Sequence, residues 1–156
     1  MSMKTTIIAV LIALLSAAAI ADYQLPDRQM TPGATRTTNV AYVCKPGTAA
    51  KDRYVTQKVR STVFAAYGVP ANYQGICAGT EGCEVDHLIS LELGGSNALS
   101  NLWPQPYAGE WNAHQKDKLE HKLHKLVCSG QLPLEDAQRE ISINWIDAYK
   151  KYVGPR

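Results

Sequence analysis

Apolar side chains recur at helical spacing in three segments of the chain. Residues 54–67 place valine at every fourth position and precede Gly68 and Pro70, which predicts a helix that ends there. Residues 112–127 predict a second helix that ends near Gly130, and a third is predicted to begin near Pro133. In the second helix the expected buried positions are Leu119, Leu123 and Leu126, and the expected solvated ones are Lys118, Lys122 and Lys125.

The segment between the first two helices has the pattern of strands instead. Residues 83–93 are predicted to form a strand and residues 101–104 a short second one, after a glycine-rich loop at residues 71–82. The order is therefore helix, loop, hairpin, helix, helix. This order predicts an α+β fold in a small single domain.

The N-terminus has the features of a secretory signal peptide. Lys4 precedes an apolar run at residues 7–20, and Ala19-Ile20-Ala21 fits the small-x-small cleavage rule. An uncleaved membrane anchor is the alternative, but the run is short for a span of about 20 residues. We therefore expect residues 1–21 to be removed and residues 22–156 to form one secreted or periplasmic domain, without stable membrane association. Residues 22–43, rich in threonine and proline, predict an extended or poorly ordered arm.

Four cysteines in an exported chain predict disulfide bonds. Cys77 and Cys83 flank a short glycine-rich segment and would close a small loop, which leaves Cys44 to pair with Cys128. A zinc site built from all four is the alternative, but the chain lacks the C-x-x-C pairs that such sites use.

Charge is unevenly distributed along the chain. Without Lys4 and the rest of the leader, 15 basic side chains face 14 acidic ones, yet residues 61–110 contain five acidic and no basic side chains. An acidic segment between two basic flanks is compatible with a cation site beside a phosphate-binding surface.

The chemistry-bearing residues of this acidic segment form one pattern: Val85-Asp86-His87-Leu88-Ile89, then Gly94-Gly95, then Asn101-Leu102. Imidazole titrates near physiological pH, so His87 is a candidate general base. Asp86 offers a hard oxygen ligand for Mg²⁺ or Mn²⁺ and, in an extended segment, projects to the opposite face. A glycine pair permits a sharp turn.

At these residues, and at Asn112-Ala113-His114-Gln115-Lys116-Asp117, the chain resembles the HNH, or ββα-metal, endonucleases. The motifs cover about residues 84–120, and a wider similarity to small exported bacterial proteins with an HNH-like core covers about residues 44–145. The resemblance implies an HNH-like core flanked by helices and hydrolysis of nucleic-acid phosphodiester bonds that leaves a 5′ phosphate. The zinc-binding C-x-x-C pairs of many HNH proteins are missing here.

The resemblance also implies roles for individual residues. His87 would activate water, and Asn101 would orient the His87 ring. Asn97 is the alternative to Asn101 in that role. Asp86 and His114 would hold one divalent cation, expected to be Mg²⁺ with Mn²⁺ or Zn²⁺ open, and Asn112 is the alternative to His114. Lys116 and Lys118 are expected on a solvated helix face.

Two other functional classes remain open from the sequence. The chain could be a non-catalytic binding protein that keeps the fold, or a different metallohydrolase that uses His114, His121 and His124. For the endonuclease we expect a monomer whose partner is nucleic acid, with DNA favoured over RNA.

Overall fold

The computed structural model describes residues 24–69 and 82–155. The predicted leader and residues 71–81 of the predicted loop lie outside these ranges. The described residues form five helices and one antiparallel sheet of two strands. These elements are α1 (Val40–Val43), α2 (Thr48–Asp52), α3 (Gln57–Ala66), β1 (Cys83–His87), β2 (Leu102–Pro106), α4 (Ala113–Cys128) and α5 (Leu134–Tyr152). This mixture of helix and strand confirms the α+β class. No helix in the described ranges is long and apolar enough to cross a membrane.

The sheet is a hairpin in which Cys83 pairs with Pro106 and His87 with Leu102. The predicted strand at residues 83–93 is too long, because β1 ends at His87. Beyond it, the Leu88 N–H still donates to the Asn101 carbonyl at 2.8 Å, and the chain then turns away from the ladder. Two short 3₁₀ turns, Leu91–Leu93 and Leu99–Asn101, lie in the connection to β2.

The connection folds back tightly at its two glycines, and each glycine has its own reason. Gly94 has φ +76°, in the left-handed region that glycine enters without steric cost. A Cβ on Gly95 would lie 1.8 Å from the Ile89 carbonyl oxygen, so no side chain fits there. The Gly-Gly turn predicted from the sequence is confirmed.

The three predicted helices correspond closely to α3, α4 and α5. Asn112 caps α4, since its side chain accepts from the Gln115 N–H, and Pro133 precedes α5. Leu119 and Leu123 are fully buried on α4, as predicted, whereas Leu126 is only half-buried. α5 is interrupted at Asn144, whose φ and ψ of −162° and 99° are not helical.

The N-terminal segment is bound to the domain from residue 24 onward. The Thr31 hydroxyl, fully buried, donates to the Leu102 carbonyl at 2.9 Å and lies 2.7 Å from the Tyr67 hydroxyl. Thr35 forms an isolated bridge with Gly95. These contacts attach the arm, which the sequence predicts to be extended or poorly ordered, to the hairpin.

A disulfide joins Cys44 to Cys128 across 84 residues of sequence, as predicted. It fastens the end of α1 to the last residue of α4. Cys83 is disulfide-bonded as well, and its predicted partner Cys77 lies outside the described residues.

Candidate functional site

His87 is the last residue of β1, and its side chain is almost fully buried, with 3% of the residue exposed. Its Nε2 lies 2.7 Å from Oδ1 of Asn97, which belongs to the loop between the two 3₁₀ turns. The Asn97 Nδ2 donates to the Asp52 carbonyl at 2.9 Å. The asparagine therefore connects the imidazole to the end of α2.

These two hydrogen bonds determine the tautomer of His87. A backbone carbonyl can only accept, so the Asn97 amide nitrogen must face Asp52 and its oxygen must face the ring. That oxygen requires a proton on Nε2. In the neutral imidazole the lone pair is then on Nδ1, which is the nitrogen that can take a proton.

Burial lowers the pKa of His87 below its ordinary value. The Asn97 hydrogen bond and the Asp86 charge oppose the effect, whereas Lys116 and Arg53 add to it. The net direction favours the neutral ring at physiological pH. His87 is thus in the protonation state that a general base needs.

The hydrogen bond to the imidazole comes from Asn97, not Asn101, so the assignment of Asn101 as the orienting residue is corrected to Asn97. The Asn101 amide is fully buried and binds backbone: its oxygen accepts from Ile89 N–H at 2.9 Å, and its nitrogen donates to the carbonyls of Ile89 and Ser96 at 3.0 and 2.9 Å. Asn101 therefore holds the shape of the loop that carries Asn97.

Asp86 lies on β1 beside His87 and contacts α4 through a buried lysine. The Lys116 ammonium, whose side chain is fully buried, donates to Asp86 Oδ2 at 2.7 Å and to the His87 carbonyl at 2.6 Å. It also forms an ion pair with Glu120, one turn along α4. The same cation thus fixes both central residues of the motif.

The position of Lys116 contradicts the expectation of a solvated helix face. Burial alone lowers the pKa of a lysine, but the Asp86 and Glu120 carboxylates raise the pKa of Lys116 above its ordinary value. The ammonium therefore stays charged inside the domain. Lys118, by contrast, is exposed as predicted.

Two further acidic side chains surround Asp86. Burial raises the pKa of Glu84, the Asp86 charge raises it further, and the hydrogen bond that the Tyr107 hydroxyl donates to Glu84 at 3.1 Å lowers it. Burial and the Asp86 charge also raise the pKa of Asp117, while Lys116 and His114 lower it. Negative charge here exceeds what Lys116 compensates.

His114 and Asn112 differ in their availability as metal ligands. The exposed His114 ring stacks on Tyr107, with centroids 5.6 Å apart, and acts electrostatically on Asp117. The Asn112 amide caps α4, accepting from Gln115 N–H at 3.2 Å and donating to the Gly109 carbonyl at 2.9 Å. Both of its polar atoms are engaged, so Asn112 is the weaker candidate.

The histidines of the alternative metallohydrolase are not brought together. His121 lies beside Glu92, with Nδ1 3.9 Å from Oε2, and His124 lies 3.4 Å from the Cys128 sulfur. In the described part of the chain, the metal-ligating atoms that cluster within 4.8 Å belong to Cys44, His124 and Cys128. Two of these are joined in the disulfide and offer no thiolate.

Sequence reasoning missed Lys116, Glu84 and Asp117 as members of the site. Lys116 had a usable signal, because it precedes Leu119 by three residues and so continues the buried stripe of α4. Asp117 follows it directly, and Glu84 is two residues before Asp86 on the same face of β1. The contribution of Arg53 had no signal in the sequence.

Comparison of the chain with protein-family models, with curated proteins and with solved structures finds no match.

Proposed function

We propose that this protein is an exported, metal-dependent endonuclease that hydrolyses nucleic-acid phosphodiester bonds with an HNH-like ββα unit formed by β1, β2 and α4. One observation carries the proposal. His87, with a neutral and oriented imidazole, directly follows Asp86 in β1, and Lys116 of the facing helix binds the Asp86 carboxylate and the His87 backbone carbonyl.

In this proposal His87 accepts a proton from the attacking water at Nδ1. The Asn97 oxygen stabilises the imidazolium that forms, because Nε2 keeps its hydrogen bond throughout. Asp86 and His87 are consecutive in an extended strand, so their side chains project to opposite faces. The base and the cation would then act from different sides of the scissile phosphate.

The chemistry of the donors around Asp86 suits a divalent cation, although the ligand atoms of Asp86, Asp117 and His114 are not among those of the described residues that cluster within 4.8 Å of one another. Lys116 engages Oδ2 of Asp86, so Oδ1 is the oxygen that Asp86 would offer. Asp117 and His114 would be its partners, because both lie on α4 close in sequence to Lys116, which binds Asp86. Two carboxylates favour Mg²⁺ or Mn²⁺, and the imidazole also admits Zn²⁺. When bound, the cation would neutralise charge on the phosphate and stabilise the leaving 3′ oxygen.

Binding of a cation at this place should change the pKa values of Glu84 and Asp117, which are both raised in the metal-free protein. Both carboxyls are penalised by burial and by the neighbouring Asp86 charge. A bound divalent ion would remove that penalty and bring both pKa values down.

The substrate would be DNA in preference to RNA, cut to leave a 5′ phosphate, and the enzyme would act as a monomer. Plasmid nicking by the disulfide-bonded mature chain tests the proposal, across Mg²⁺, Mn²⁺ and Zn²⁺ and with EDTA. We expect relaxed circles with at least one metal and none with EDTA. Asp86→Asn should lose the activity, whereas His121→Ala, on the exposed face of α4, should keep it. DNA binding without cleavage under every condition would favour the non-catalytic alternative.

A further inference from the structure

Arg53 directly follows α2, and a short chain of hydrogen bonds connects its backbone to the proposed base. The Asp52 carbonyl, which begins the peptide bond to Arg53, accepts from Asn97, and Asn97 holds the His87 ring. The backbone of Arg53 is thereby fixed relative to the imidazole. Its side chain is exposed.

The acidic neighbour of Arg53 does not neutralise it. The Asp52 carboxylate is paired with Arg36, and the Tyr42 hydroxyl donates to both of its oxygens at 3.1 Å. Within residues 24–69 and 82–155, no ion pair or hydrogen bond engages the Arg53 guanidinium. The charge of Arg53 is therefore not neutralised by an ion pair within these residues.

The charge of Arg53 affects the pKa of groups on both sides of the proposed site. It lowers the pKa of His87 on β1 and the pKa of Asp117 on α4. The guanidinium charge thus acts on the base and on a proposed metal-binding carboxylate.

An anionic substrate needs such a cation at this position. Glu84, Asp86 and Asp117 repel a phosphodiester, and Lys116 is buried and already bonded to two carboxylates. A guanidinium can donate two parallel hydrogen bonds to phosphate oxygens, which suits it to hold the group in a fixed orientation.

We propose that Arg53 binds the phosphate group of the nucleic-acid backbone at the mouth of the site, beside the His87–Asn97 contact. This inference rests on the proposed function, in that it names the residue that would hold the substrate of that site. It concerns binding, so it can be tested in the absence of metal and turnover.

The experiment follows the His87 imidazole by NMR in the mature, disulfide-bonded protein with EDTA, while inorganic phosphate replaces chloride at constant ionic strength. Wild type, Arg53→Ala, Arg53→Lys and Lys125→Ala are compared. Lys125 is the control because it is exposed near the far end of α4. We expect a saturable shift in wild type and Lys125→Ala, at least about tenfold weaker binding in Arg53→Ala, and partial recovery in Arg53→Lys.

A second measurement uses a short DNA duplex in EDTA. Loss of one phosphate contact reduces the dependence of log affinity on log salt by about 1, so Arg53→Ala should have the smaller slope. Phosphate and DNA binding that are equal in Arg53→Ala and wild type would overturn the inference, as would a His87 signal indifferent to phosphate in wild type. Normal binding with no cleavage under any metal would instead refute the nuclease and leave the anion site standing.

Discussion

The Nε2 of His87 and the Oδ1 of Asn97 are 2.7 Å apart, and the Asp52 carbonyl fixes the amide that makes this contact. The imidazole is thus oriented by a loop residue ten positions later in the chain. Asn101, at the end of the same loop, binds backbone only.

Substitution of the two asparagines should therefore have different effects. Asn97→Ala should fold normally but reduce turnover by about 10–100-fold, because the base loses its orienting partner. The acid limb of the pH–rate profile of Asn97→Ala should move to lower pH, since the Asn97 hydrogen bond raises the pKa of His87.

Asn101→Ala should lower the free energy of unfolding by about 3 kcal/mol, because buried backbone groups lose their partner. Urea denaturation and pH–rate profiles of both variants check this, and the reverse pattern would contradict it.

Lys116→Met should destabilise the domain by about 3–5 kcal/mol, because Asp86 and Glu120 are left as uncompensated carboxylates in the interior. Loss of the ammonium leaves buried negative charge that added protons can neutralise, so the deficit should shrink as the pH falls. Thermal denaturation of wild type and variant at several pH values measures this. Lys118→Met is the matched control on the exposed face. A deficit that does not change with pH would argue against the ion pairs as its cause.

The pH dependence of activity should follow from the lowered pKa of His87. A base with a lowered pKa remains neutral in mild acid, so the acid limb of kcat/KM should fall below pH 6.5, the ordinary value for histidine. For stability, a folded pKa below the unfolded one makes a contribution that is present above pH 6.5 and is lost as the pH falls through the folded value. NMR titration of His87 checks the direction, and a midpoint above 6.5 would contradict it.

Loss of the long-range disulfide should weaken the fold substantially. Cys44 and Cys128 close a loop with a sequence separation of 84, which corresponds to about 4 kcal/mol in the chain-entropy model. Urea denaturation of the double variant Cys44→Ser/Cys128→Ser should show this loss against wild type under oxidising conditions. An unchanged midpoint would mean that the bridge does not restrain the unfolded chain. Non-reducing peptide mapping should recover the 44–128 pair.

The main elements of the fold could be predicted because their signals are local. Valine spacing, the leucine stripe of α4 and Pro133 depend on residues a few positions apart, and the four-residue α1 and five-residue α2 were missed because such short helices carry no periodicity. Asp86 and His87 were recognisable because both lie within one strand and project to opposite faces.

The partners of these residues could not be predicted in the same way. The choice between Asn97 and Asn101 depends on how the chain folds back at Gly94 and Gly95, which places one amide at the ring and the other against backbone. The role of Arg53 depends on the packing of α2 against the hairpin connection, a contact between distant parts of the chain.

Whether His87 is the general base of a nuclease is tested by the rate of plasmid cleavage by His87→Ala relative to wild type at saturating metal. The change should reduce the rate by about 10²–10⁴-fold. The far-UV circular dichroism and the metal affinity should stay close to wild type, because His87 is not a proposed ligand. His121→Ala, an exposed histidine on α4, should cleave at the wild-type rate. Cleavage by folded His87→Ala at the wild-type rate would show that His87 is not the general base.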